Sequence, residues 1–75
     1  MLNDKKIEYI QVIHDTVEYL LSESKRNKEQ YKIEHITLNR DELKELLECL
    51  KFVLNNKQMR ITESMNVAKV LNKLK

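Results

Sequence analysis

Apolar side chains recur at Ile7, Ile10, Ile13, Val17, Leu20 and Leu21, with His14 inside the same stripe. Steps of three and four residues stack such positions on one face of an α-helix. The spacing predicts a first helix from about Asp4 to about Lys28, capped by Asn3 or Asp4, with Lys25, Arg26 and Lys28 at the end where the helix dipole favours cations. A second stripe of Leu43, Leu46, Leu47, Leu50, Val53 and Leu54 predicts a helix running to about Asn56. Ahead of it, Asn39-Arg40-Asp41-Glu42 has the form of a capping box, and Leu38 and Leu43 are placed as a hydrophobic staple. A third stripe, Val67, Val70, Leu71 and Leu74, predicts a short helix capped by Thr62, with Glu63 in its first turn and Lys69 and Lys73 on its other side. At about 12 residues this helix must pack on the other two to persist.

The stretch Tyr31-Lys32-Ile33-Glu34-His35-Ile36-Thr37-Leu38 is rich in β-formers, but its alternation is imperfect. Ile36 and Leu38 share a parity with Lys32 and Glu34, and Tyr31 and Ile33 share the other with His35 and Thr37. It reads as an extended linker or a single strand. With no second strand pattern in the chain, a strand here would have to pair with another copy of the molecule. The expected architecture is all-α, a single helical domain over residues 1–75 with two long helices, a short C-terminal one and an extended segment or strand at about 31–38.

Composition sharpens this picture. The 75 residues include no glycine and no proline. Glycine supplies positive φ and proline removes a donor, so their joint absence is expected to remove tight turns, phosphate-cradling loops and strained active-site corners, leaving helices and plain connections. A chain this short buries about 60% of its unfolded surface, and oligomerisation is a common remedy for the resulting small core. Cys49 is the single cysteine, which excludes an internal disulfide and suits a reducing compartment. No apolar run approaches a membrane span and the N-terminus does not read as a signal peptide, so a cytoplasmic location without membrane contact is expected. Eleven Lys to three Arg, seven Asn, six Ile and one Ala are the usage of an A+T-rich genome, as in a low-GC bacterium, its plasmids or its phages.

The net charge is only +2, yet it is unevenly distributed. Residues 1–54 carry 9 basic and 11 acidic side chains, whereas residues 55–75 carry Lys57, Arg60, Lys69, Lys73 and Lys75 against Glu63. Lys57, Arg60, Lys69 and Lys73 are therefore the candidate nucleic-acid contacts. His14, His35 and Cys49 are separated by 21 and 14 residues, unlike the close ligand pairs of zinc sites, and neither a metal nor another cofactor is expected. No thiol, base and oxyanion arrangement can be assembled, so no catalysis is expected. Asp41, Glu42, Glu45 and Glu48 read as capping residues and a solvated helix face.

Two further features point to a macromolecular partner. Tyr9, Val12, Thr16 and Tyr19 form a weaker stripe on the back of the first helix. Phe52 lies on the back of the second, with Cys49 beside it. Aromatics away from a core stripe give large contact area at low entropic cost. Tyr9, Val12, Thr16, Tyr19, Cys49 and Phe52 are the candidate partner or self-association face, with a homodimer centred on helix 1 as the expected assembly. The segment from Ile33 to Leu74, strand then capped helix, connection and second helix, resembles a ribbon-helix-helix DNA-binding module. That resemblance implies a strand paired across a dimer and inserted into the major groove. If Ile36 and Leu38 point inward, Ile33, His35 and Thr37 would face the DNA. The leading expectation is a small protein-binding regulator or inhibitor, possible in a phage or mobile element; the alternative is a dimeric DNA-binding regulator using the ribbon or the basic third helix.

Overall fold

The computed structural model describes residues 3–23 and 30–75. The elements run in the order α1 (Asp4–Glu23), β1 (Gln30–Ile33), β2 (Ile36–Asn39), α2 (Arg40–Asn56) and α3 (Met65–Leu74). The domain is mostly helical, with one two-stranded antiparallel sheet. Among the described residues no helix is long and apolar enough to cross a membrane.

Asn3 caps α1, its Oδ1 accepting the Lys6 amide at 2.9 Å. Ile10 and Val17 are fully buried, and Ile13, Leu20 and Leu21 pack against the core around them. The expected continuation to Lys28, with Lys25 and Arg26, lies outside the described residues.

The extended stretch is a hairpin within one chain, which corrects the expectation of a lone strand pairing with another copy. Tyr31 pairs with Leu38 and Ile33 with Ile36, while Gln30 pairs with Asn39 and Lys32 with Thr37. The two-residue turn reverses the chain and changes the parity of the inward positions. Odd-numbered Tyr31 and Ile33 therefore share a face with even-numbered Ile36 and Leu38. Ile33 and Leu38 are buried and Tyr31 and Ile36 half-buried. The turn is made without glycine: Glu34 and His35 both occupy the left-handed region, with φ 54° and 68°. Two successive positive-φ residues match the twist of the flanking strands, as a primed hairpin turn requires. The lack of glycine therefore did not prevent a tight turn; it moved the strain onto side-chain-bearing residues.

The capping box of α2 is complete. The Glu42 amide donates to Asn39 Oδ1 at 2.8 Å and the Asn39 amide donates to Glu42 Oε1 at 2.9 Å. The helix ends at Lys57, left-handed with φ 58°, whose amide donates to the Val53 carbonyl at 2.8 Å. The third helix starts later than the sequence suggests. Ser64 is its cap, accepting the Val67 amide at 3.3 Å, while Thr62 Oγ1 accepts the Ser64 amide at 3.3 Å and shapes the approach.

Helix α2 is the hub, touching α1, both strands and α3, and α3 also packs on β2. Its buried side comprises Leu43, Leu46, Cys49, Leu50 and Val53. Val67, Val70, Leu71 and Leu74 of α3 complete the core with Ile33 and Leu38. Cys49 was expected on the back of α2 beside Phe52; it is instead fully buried. At about 100° per residue it lies on the flank of the stripe, where Thr62 and Arg60 of the 57–64 connection approach it.

Candidate interaction face

Helix α1 presents two faces. One holds Ile10 and Val17 in the core. The other, about 130° round the helix, carries Tyr9, Val12, Thr16 and Tyr19, with Tyr9, Val12 and Tyr19 45%, 58% and 63% exposed. Thr16 is also exposed, and its hydroxyl donates to the Val12 carbonyl at 2.9 Å. That bond satisfies the hydroxyl's donor against the helix itself, so only its acceptor side loses water when the position is covered. Steps of three, four and three residues keep the row nearly parallel to the helix axis, the spacing of a helix–helix seam. Lys5 and Glu23, also exposed, continue the same row at its two ends. The sequence-derived row covers Tyr9, Val12, Thr16 and Tyr19, and four-residue steps at either end extend it to Lys5 and Glu23.

One end of the face is fixed by tertiary contacts. The Tyr9 hydroxyl donates to Glu34 Oε1 at the hairpin turn. The hydrogen bond to Glu34, together with burial, raises the Tyr9 pKa, so the phenol keeps its proton. The Glu34 carbonyl accepts from Lys73 Nζ at 3.0 Å. The strained turn is thus held between α1 and α3, and Tyr9 is an anchored aromatic rather than a free one. In the middle of α1, Asp15 accepts from Gln11 Nε2 at 2.9 Å and lies 3.0 Å from His14 Nδ1. Hydrogen bonds to His14 and then Gln11 lower its pKa and keep it ionised.

The remaining sequence-derived candidates are dispersed. Phe52 is 37% exposed on α2, and Cys49 offers no surface. Lys57 sits at the end of α2, whereas Arg60 approaches Glu45 at 3.9 Å. Arg60 lines a groove with Ala68, Leu71, Asn72 and Lys75. Lys69 and Lys73 lie further round α3, and Lys73 is engaged with the turn. The four basic residues therefore do not form one uninterrupted strip of free cations.

A second groove, about 540 Å³, runs between the start of α2 and the connection, lined by Asp41, Glu42, Glu45, Arg60, Thr62 and Glu63 among others. Ile61 stands on its rim, 95% exposed, a feature the sequence pattern did not single out. Among the described residues no group of three His, Cys, Asp or Glu is placed to hold a metal ion. The Cys49 thiol is pushed up to about 11, first by burial and then by the Glu45 charge, with Arg60 opposing. No protein-family model, curated protein or solved structure matches the chain.

Proposed function

We propose that this protein is a small non-enzymatic binding module, a regulator or inhibitor that acts by docking the outer face of α1 onto another polypeptide. The observation that carries this reading is the exposed row Tyr9, Val12, Thr16 and Tyr19 on a 20-residue helix whose opposite side is already committed to the core. Tyrosine supplies contact area with few rotamers to freeze, and the Tyr9 ring is already held by Glu34. The usage of an A+T-rich genome suits a phage or mobile-element setting.

The second reading is nucleic-acid binding through the basic C-terminal third, supported by its excess of Lys and Arg. It is weakened by the engagement of Arg60 with Glu45 and of Lys73 with the Glu34 carbonyl. The ribbon form of that reading is weakened further by the pairing of β1 with β2 within the chain, which uses one edge of each strand.

A photo-crosslinking amino acid at position 12, with position 44 on α2 as a control, separates these readings in native-host lysate. The proposal expects protein adducts from position 12 that disappear on Tyr19→Glu, and no retention of DNA in a gel. Salt-sensitive DNA retention that is lost on Lys69→Glu, without adducts from position 12, would favour the second reading.

A further inference from the structure

The row Lys5, Tyr9, Val12, Thr16, Tyr19 and Glu23 advances by four, three, four, three and four residues. Its spacing is the same read from either end. A two-fold axis crossing α1 at the level of residue 14 sets Tyr9 opposite Tyr19, Val12 opposite Thr16 and Lys5 opposite Glu23 of a second helix. All six positions are exposed. The ends of the row carry opposite charges, so antiparallel pairing joins lysine to glutamate at both ends, whereas parallel pairing brings Lys5 to Lys5 and Glu23 to Glu23.

Resting on the reading of α1 as a protein-docking face, we propose that its occupant is a second copy of this chain, bound antiparallel across that axis. The same patch is then used twice, as a two-fold interface demands. The apolar middle of the row excludes water, and the Lys5–Glu23 pairs at the rim set direction and register. One group opposes the arrangement. Asp15 lies on the flank of the row close to the axis, where it approaches its own symmetry mate. Its carboxylate is hydrogen-bonded to Gln11 and lies against His14, which tempers the repulsion without removing it.

Sedimentation equilibrium of the full chain from micromolar to millimolar concentration tests the proposal. A reversible species of twice the 9.0 kDa chain mass is expected. Lys5→Glu and Glu23→Lys should each weaken the dimer by about threefold to thirtyfold, since two rim pairs are lost per dimer. The double variant should return to near wild-type affinity, and Asp15→Asn should tighten the dimer. These side chains are exposed, so circular dichroism should show unchanged folding in every variant.

A dimer weakened by both single changes but not restored by the double overturns the antiparallel register. A dimer indifferent to Val12→Glu and Tyr19→Glu overturns this face as the self-association surface. A monomer throughout the range, combined with foreign-protein adducts from position 12, overturns the second copy as occupant while leaving α1 as a docking face. A monomer with no such adducts overturns both.

Discussion

Asn66 donates from Nδ2 to Glu42 Oε2 at 2.7 Å, while the other oxygen of the same carboxylate accepts the Asn39 amide at 2.9 Å. One side chain thus caps α2 and ties it to α3, linking local helix initiation to tertiary packing. Glu42→Ala removes both bonds and should destabilise the fold by about 1–3 kcal/mol. Glu42→Gln should fall between alanine and wild type, because its amide oxygen can still close the capping box while its nitrogen cannot accept from Asn66. Urea unfolding followed by circular dichroism measures the order of the three proteins.

The two leucines at the middle of α2 should differ. Leu50 is fully buried, whereas Leu47 is half-buried. Leu50→Ala should cost about 2–5 kcal/mol, and Leu47→Ala distinctly less. Equal losses in paired urea titrations would show that the α2 stripe is rotated relative to this core.

His35 holds φ 68° with a side chain that disfavours it. His35→Gly should raise stability by about 0.5–1 kcal/mol, because relief of roughly 1–2 kcal/mol of left-handed strain exceeds the entropy penalty of roughly 0.5–1 kcal/mol. The β-branched His35→Val should lower it. Thermal unfolding of both variants checks the turn, and a lower melting temperature for His35→Gly would contradict the primed geometry.

Cys49 gives the fold an alkaline sensitivity. In the folded chain its pKa is about 11, against an ordinary value of 9.0. The folded state therefore holds this proton more tightly than the unfolded state. Its stabilising contribution is intact below about pH 9 and declines as pH rises through that window towards 11. Cys49→Ala lacks this component, so wild-type stability should fall more steeply than that of the variant over the same range. Parallel slopes would contradict the buried thiol.

The helices were legible because each combines a long apolar stripe with a terminus signal, and Asn39 with Glu42 fixed the start of α2 to the residue. Four features escaped for identifiable reasons. The hairpin was hidden by the shift of parity across Glu34-His35, and its turn by the expectation that positive φ calls for glycine. Read as two half-strands with opposite parity, Tyr31/Ile33 and Ile36/Leu38 would have disclosed it. Ser64 displaced Thr62 as the cap of α3 because either hydroxyl suits the role from sequence; in the fold Ser64 Oγ accepts the Val67 amide and Thr62 Oγ1 accepts the Ser64 amide ahead of the helix. The outer stripe of α1 was visible in the spacing, but Cys49 was assigned to a surface because a position on the flank of a helix is buried or exposed according to which neighbour covers it. Here the 57–64 connection, which approaches it, has no periodicity to read.

The claim that the outer face of α1 is the contact surface is tested most directly by amide chemical shifts recorded as the protein is diluted from millimolar to micromolar concentration. The account predicts concentration-dependent shifts concentrated at residues 5–23, strongest around Tyr9, Val12, Thr16 and Tyr19, and absent in Tyr19→Glu. Shifts centred on α3 or the 57–64 connection, with α1 unchanged, would contradict it.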